Sequence, residues 1–242
     1  MKVNTDSIIL GSWALKLLHN DFQTIVPQKT EFPFLRALDI GSGSGLLSLM
    51  LAQGFGERIV VDAIELDRDA SMQGKENIAN SPWSSVISSH CINVVDYMSS
   101  HKLAETFDVV ISNPPYFPQV TAPTRAYSKQ THKRLTARNQ TDLSLEQLIW
   151  VLKQALRKQG VAFIVLPSNQ LSQMTQFAKH AGLNTKYQLA VKSLPHKTPY
   201  VNCLGLTREI VEPQCEELII YQKNHVYSKD YRALCGDFYK NF

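Results

Sequence analysis

Four consecutive residues, Asn113-Pro114-Pro115-Tyr116, carry the clearest chemical signal in the chain. The asparagine side chain offers a carbonyl acceptor, and the main-chain carbonyl of Pro114 sits in a frame stiffened by its ring. Two acceptors in one plane take both hydrogens of an exocyclic amine and aim its nitrogen at an electrophile. Tyr116, with Phe117 beside it, gives an aromatic face on which a base can stack. The competing reading is a proline-rich loop with an asparagine cap and a core tyrosine.

The tetrapeptide follows Phe107-Asp108-Val109-Val110-Ile111-Ser112, whose β-branched apolar residues predict a buried strand. A central strand cannot run through two prolines, so it stops at Asn113 and leaves a stiff turn at the carboxyl edge of a sheet. Open α/β sheets hold their ligands at that edge.

A second constellation lies upstream. Leu35–Ile40 reads as a first strand and runs into Gly41-Ser42-Gly43-Ser44-Gly45, behind which Leu46 begins an apolar helix. Strand, glycine loop and helix in that order set backbone amides beside a bound polar or anionic group. Position 46 is leucine where a dinucleotide fingerprint wants glycine or alanine, which disfavours a dehydrogenase. The strand Ile59–Ile64 then ends in Glu65, an acid placed to accept from both hydroxyls of a ribose. Its alternative role is to cap the helix from Asp67. A third strand, Val86–Val95, ends near Asp96, which is expected either to accept from an adenine amine or to cap a helix from Tyr97.

The composition, 44% apolar and 19% charged, suits a folded domain with a substantial core. No apolar run reaches membrane-spanning length, and the start lacks signal-peptide character, so a soluble cytoplasmic protein is expected. The four cysteines are widely spaced and form no paired metal-ligand motif, so neither a metal nor disulfides are expected. Net charge is +4, unevenly spread: residues 109–208 hold 13 basic and 2 acidic side chains. Such an excess points to a polyanionic partner for one face. Within it Arg125, Lys129, Lys133, Arg134 and Arg138 lie in a long irregular stretch with Tyr127 among them, a pattern suited to phosphate and base contacts.

Farther on, Ser144-Leu145-Glu146-Gln147 opens an amphipathic helix to Lys158, and Val161–Leu166 is expected as a fifth strand. Leu183–Leu194 and Glu217–Gln222 are expected as a closing pair of strands. The excursion between them carries Lys197, Tyr200 and Arg208. Thr5 or Asp6 caps an opening helix that either covers a cleft or pads the core, and Tyr227–Tyr239 is expected to pack as a last helix. No repeat or linker divides the chain, so one domain over 1–242 is expected.

Together, Asp39-Ile40-Gly41-Ser42-Gly43-Ser44-Gly45, Glu65, Asp96 and the NPPY tetrapeptide resemble a class I S-adenosylmethionine-dependent amino-methyltransferase. The opening Lys2–Trp13, the Ala137-Arg138 step, the helix start at Leu143–Glu146 and the aromatic ending are similar to bacterial tRNA1(Val) adenine-N6-methyltransferases. Asn4 and Ser7 depart from that pattern, standing where glycines are expected. The resemblance implies an α/β fold: a single doubly wound Rossmann-like domain with a mostly parallel seven-stranded sheet, an antiparallel last strand and helices on both faces. It implies S-adenosyl-L-methionine as cofactor, held by Lys2, Thr5, Asp39, Gly41, Gly43, Gly45, Glu65, Leu66, Asp96 and Asn113. Residues 1–34 would cover that cofactor. Asn113, Pro114, Pro115 and Tyr116 would be catalytic. Phe117, Arg125, Lys129, Lys133, Arg134, Arg138, Lys197 and Arg208, in loops 117–142 and 194–216, would bind RNA. The implied substrate is an adenine N6 next to the anticodon of a tRNA, met by a monomer. Guanine N2 in rRNA, a protein glutamine, or a non-catalytic RNA-binding role are the rival readings.

Overall fold

The computed structural model describes residues 5–25, 34–114, 143–223 and 226–239. At its centre, strands β1 (Leu35–Ile40) and β4 (Phe107–Ser112) pair in parallel, and β4 is buried at every position. Outside β1 lie β2 (Ile59–Glu65) and β3 (Ile87–Cys91). Outside β4 lie β5 (Leu156–Pro167), β7 (Val201–Thr207), β6 (Asn184–Lys192) and β8 (Gln214–Ile219), in that spatial order. Every neighbouring pair is parallel except the two made by β7. Because the chain winds outward in both directions from β1 and β4, the carboxyl ends of that pair form a topological switch point.

Side chains alternate across the sheet and split the core in two. Ala37, Val109, Ile111, Phe163 and Cys203 face one layer, made by α1 (Thr5–Ile25), α2 (Leu46–Phe55), α3 (Arg68–Ala79) and α7 (Lys229–Cys235). Leu38, Ile40, Val110, Ile164 and Leu204 face the other, made by α4 (Val94–Ser100), α5 (Leu145–Ala155) and α6 (Leu171–His180). The opening helix is chiefly a core element. Trp13 is 1% exposed and meets Phe163 and Tyr187 edge-on, at 5.8 and 6.4 Å between ring centres. The described part of 1–34 thus packs chiefly in the core, and its first turn reaches the ligand edge, where Ser7 meets Asn113. Ser144 and Gln147 form the capping box that starts α5, each side chain bonding the other's backbone amide.

The sheet has eight strands rather than seven, and the antiparallel strand is not the last. It is Val201–Thr207, inside the excursion 194–216 that the sequence suggested was a substrate loop. All seven of its residues are buried. Its pattern was concealed by Asn202, which donates to Ser168 Oγ at 2.8 Å, and by Gly205, which lies flat under Tyr187. β8 then adds an edge strand parallel to β6. Strand β5 also begins earlier than expected: Leu156 pairs with Phe107, so α5 ends at Ala155 and not at Lys158.

Candidate active site

Strand register brings the chemistry-bearing residues into one row. Ile40 is level with Ile64 on one side and with Ser112 on the other. One step farther along, Gly41, Glu65 and Asn113 therefore emerge side by side at the carboxyl edge. Adjacent strands lie about 4.8 Å apart, so Glu65 and Asn113 flank the glycine loop at roughly 10 Å from each other. They line one cleft of about 520 Å³, with Leu66, Ile92, Asn93, Val94, Pro114 and Leu143 among its other walls. That size lies within the usual range for a small-molecule site.

The loop between β1 and α2 folds back on its own glycines. Gly41, Gly43 and Gly45 take φ of 70°, 53° and 80°, a left-handed region costly for residues with a Cβ. The amides of Gly41 and Ser42 both donate to the Ile64 carbonyl, at 2.9 and 3.0 Å, which ties the loop to β2. A side chain at position 41 would enter open space, so the loop presents bare backbone to the cleft. Gly43 is packed from behind: its carbonyl lies 2.6 Å from where a Cβ on Gly74 would stand.

Glu65 braces this loop. Its Oε2 accepts from Gly43 N and its Oε1 from Asp67 N, both at 2.8 Å. Each oxygen keeps lone-pair capacity for a further donor, which two vicinal hydroxyls can supply. The helix cap is not Glu65 but Asp67, whose Oδ1 accepts from Ala70 N at 2.8 Å.

Asn113 stands at the cleft's far wall. Its Nδ2 donates to Ser7 Oγ, in the first turn of α1, at 2.8 Å. The side-chain amide is thus tethered by its nitrogen, and among the described residues nothing donates to its carbonyl oxygen. Pro114 lines the cleft beside it. Ser112 donates to the Ile40 carbonyl at 2.8 Å and so locks the end of β4 onto the end of β1.

Asp39 supports the site from behind. It is fully buried, and its Oδ2 accepts from both Ser48 N, at 3.0 Å, and Ser48 Oγ, at 2.6 Å, which fixes the start of α2. Burial pushes its carboxyl up to about 7 against the pull of those bonds, and the nearby Glu65 charge adds to the rise. It lies outside the cleft lining, where its bonds to Ser48 hold the start of α2 against the end of β1.

Two expected site residues stand elsewhere. Asp96 is exposed in the first turn of α4 and does not line the cleft. The strand before it ends at Cys91, and Asn93 caps α4 by accepting from Val95 N at 2.8 Å. Asn93 is the polar group at this wall, with its Nδ2 left as a donor. The sequence signal for it is an asparagine three residues before an acid, the pattern of a helix N-cap followed by an acidic first turn. Arg208 lies at the opposite edge of the sheet, because β7 runs against its neighbours. Its Nη1 bonds Glu105 Oε1 at 2.5 Å and the Leu156 carbonyl at 3.1 Å, a structural tie far from the cleft.

Lys197 is exposed in the turn after β6, on the same edge as the cleft. Thr5 begins α1 at that edge. Lys2, Pro115, Tyr116, Phe117, Arg125, Lys129, Lys133, Arg134 and Arg138 lie outside the described residues. Among the described residues there is no grouping of His, Cys, Asp and Glu that could hold a metal ion, and no helix is long and apolar enough to cross a membrane.

The residues present fit a nucleoside-bearing cofactor. A carboxylate with spare lone pairs sits at hydroxyl height, a side-chain-free loop opens beside it, and an apolar slot between Leu66, Ile92 and Val94 has one amide donor in Asn93. Residues 20–188 match the methyltransferase small domain family. The whole chain is similar to a tRNA1(Val) (adenine(37)-N6)-methyltransferase of Pseudoalteromonas atlantica, at 35% identity over 100% of this chain and 93% of that protein. Proteins of the same description from Musicola paradisiaca and Escherichia coli O157:H7 are 36% and 32% identical, each over 99% of this chain and 88% of their own. Among solved structures, a predicted O-methyltransferase from Agrobacterium tumefaciens shares the fold with a TM-score of 0.65 at 14% identity, over 96% of both chains.

Proposed function

The chain belongs to the methyltransferase small domain family and to the tRNA1(Val) (adenine(37)-N6)-methyltransferases, and from that membership we propose that it methylates the N6 amine of adenine 37 in that tRNA. The enzyme depends on S-adenosyl-L-methionine, which supplies a methyl group already activated on a sulfonium. Glu65 would hold its ribose hydroxyls, the backbone of Gly41–Gly45 its amino-acid end, and Leu66, Ile92, Asn93 and Val94 its adenine.

The observation that carries the reading is the tethered amide of Asn113 at the cleft wall. An adenine amine is a poor nucleophile because its lone pair is delocalised into the ring. Accepting one amine hydrogen at Asn113 Oδ1 and the other at the Pro114 carbonyl returns electron density to the nitrogen and fixes its direction. As the nitrogen gains positive charge during transfer both bonds strengthen, so the two acceptors favour the transition state over the ground state. No dedicated base is needed, since the surplus proton can leave to water afterwards. A base in a loop costs less to extrude than one in a duplex, and Tyr116 would hold it by stacking.

The basic segments around Arg125–Arg138 and Lys197 would grip the RNA backbone, and the protein would act in the cytoplasm. The test is transfer of labelled methyl to total tRNA, total rRNA and protein, followed by digestion. N6-methyladenosine from tRNA is expected; label in guanosine or in glutamine would overturn the assignment.

A further inference from the structure

The carboxyl edge of the sheet changes sign on the two sides of Asn113. On the cofactor side it carries Glu65, Asp67, Asp69 and Asp96, against one cation, Arg68. On the other side the turn of residues 193–200, after β6, holds exposed His196 and Lys197 and no acid. Strand β8 runs parallel to β6, so the chain leaves it at this same edge. There it makes a small hairpin of β9 (Tyr221–Lys223) and β10 (Val226–Tyr227), with Lys223 exposed, and Lys229 opens α7 after it. Among the described residues, Lys197, Lys223 and Lys229 make no salt bridge. The acids nearby are engaged elsewhere. Asp6 accepts from the Tyr200 hydroxyl at 2.9 Å, Glu217 pairs with Lys192 at 2.6 Å, and Asp230 lines a recess between α1 and α7.

The hairpin is a fixed arm. The amides of Ile220 and Tyr221 donate to the carbonyls of Lys192 and Ser193, at 2.9 and 3.0 Å, and the Ser228 amide donates to the Ile220 carbonyl at 2.8 Å. Tyr227 stacks on Tyr221 at 5.0 Å and on Tyr231 at 5.1 Å between ring centres. Tyr231 is fully buried, and its hydroxyl bonds that of Tyr239 at 2.7 Å. One face of the hairpin is therefore occupied by packing, while Lys223 and the half-exposed Val226 remain outside it.

Strands β5, β7 and β6 lie between β4 and β8, so at about 4.8 Å per step the hairpin stands about 19 Å from Asn113 along the edge. Stacked nucleotides advance about 3.4 Å each, so five or six of them cover that distance. Counted from a base beside the anticodon, they lead out of the loop and into the stem. Given the tRNA-methylating role proposed above, on which this rests, we infer that the β9–β10 hairpin is a second RNA contact, where Lys223, with Lys229 beside it, binds phosphates of the anticodon stem while the target base occupies the cleft at Asn113. The RNA then lies over the ends of β5 to β8, away from the carboxylates of the cofactor side.

The test uses the full-length enzyme and three forms of the tRNA1(Val) anticodon stem-loop: unmodified, with neutral methylphosphonate linkages through the stem, and with such linkages only beside the target adenine. Thermal melting checks that each variant is folded. On the unmodified RNA, Lys223→Ala should raise Kd about three- to fivefold and lower the slope of log affinity against log salt by about 0.7–0.9. Lys223→Glu should raise Kd about tenfold or more, and Lys223→Arg should stay within twofold of wild type. Lys158→Glu makes the same change of charge at an exposed position on the opposite edge, and should leave Kd within twofold. The decisive comparison is a thermodynamic cycle. The Lys223→Ala penalty should vanish on the stem-neutralised RNA and persist on the RNA neutralised beside the target. A folded Lys223→Glu variant with Kd within twofold of wild type would overturn the inference. So would an equal loss in Lys158→Glu, or a Lys223→Ala penalty that survives neutralisation of the stem. Failure of the wild-type enzyme to methylate the unmodified stem-loop would instead overturn the substrate, and is read before any variant is compared.

Discussion

Glutamine in place of Glu65 is nearly isosteric, yet the geometry makes it a severe change. Each carboxylate oxygen holds a backbone amide at 2.8 Å, Gly43 N on one and Asp67 N on the other. A glutamine has one acceptor oxygen, so its amino group must face one of those two donors. One brace of the glycine loop is lost, and with it one of the two acceptors for the ribose. Hydrogen bonds to a charged group contribute about 1.5–3 kcal/mol each, and the lower end suits a partly exposed side chain such as Glu65. Two such losses amount to about 3 kcal/mol, or roughly a hundredfold in cofactor Kd. Calorimetry with S-adenosylmethionine measures this, and a cofactor analogue lacking both ribose hydroxyls completes a thermodynamic cycle. The analogue should bind weakly to wild type and lose little more in Glu65→Gln. Binding of the cofactor by the variant within threefold of wild type would refute the reasoning. So would an analogue penalty of equal size in both proteins, since the acid would then not be reading the sugar.

Four further substitutions have expected outcomes, two behind the glycine loop and two at basic residues flanking β7. Asp39 titrates near 7 in the fold against about 3.9 in an unfolded chain, so the native state binds the proton more tightly and stability falls as pH rises from about 4 through 7. Urea denaturation should show Asp39→Asn losing that decline, a difference on the order of 4 kcal/mol between pH 4 and pH 8; parallel pH profiles would contradict it. Gly74→Ala places a Cβ 2.6 Å from the Gly43 carbonyl and should push the loop out of register, weakening cofactor binding about tenfold, as calorimetry would show. Unchanged affinity would mean that the loop yields freely. Lys197→Ala should weaken RNA binding and lower the slope of log affinity against log salt by about 0.7, whereas Arg208→Ala should leave both unchanged and cost about 1 kcal/mol of stability. An RNA defect in Arg208→Ala would contradict its placement at the far edge.

The parts of the site legible in the sequence are those where local stereochemistry leaves few choices. Two prolines after an apolar run can only end a central strand, and three glycines at alternate positions after another can only turn back on themselves. Hence Asn113, Gly41 and Glu65 stand in one row, as their strands' ends required. Between neighbouring residues of one turn the pattern does not discriminate: Asn93 lines the cleft and Asp96 does not, because the strand ends at Cys91. Strand β7 has no clean apolar pattern, because Asn202, Gly205 and Thr207 interrupt it; Asn202 is satisfied by Ser168 across the fold and Gly205 packs against Tyr187. Neither the charge of Arg208 nor its place after Lys197 in the chain tells which edge of the sheet it occupies; that is decided by the direction of β7. The bond between Ser7 and Asn113 joins residues 106 apart, and no local signal reports it.

The central claim is that the Asn113 amide oxygen turns an unreactive ring amine toward the methyl donor. Single-turnover transfer to the tRNA1(Val) anticodon stem-loop by Asn113→Ala, with cofactor Kd measured on the same preparation, tests it most directly. The rate is expected to fall by about a hundredfold or more while cofactor Kd stays within about threefold. A folded variant that transfers methyl at close to the wild-type rate would contradict the account.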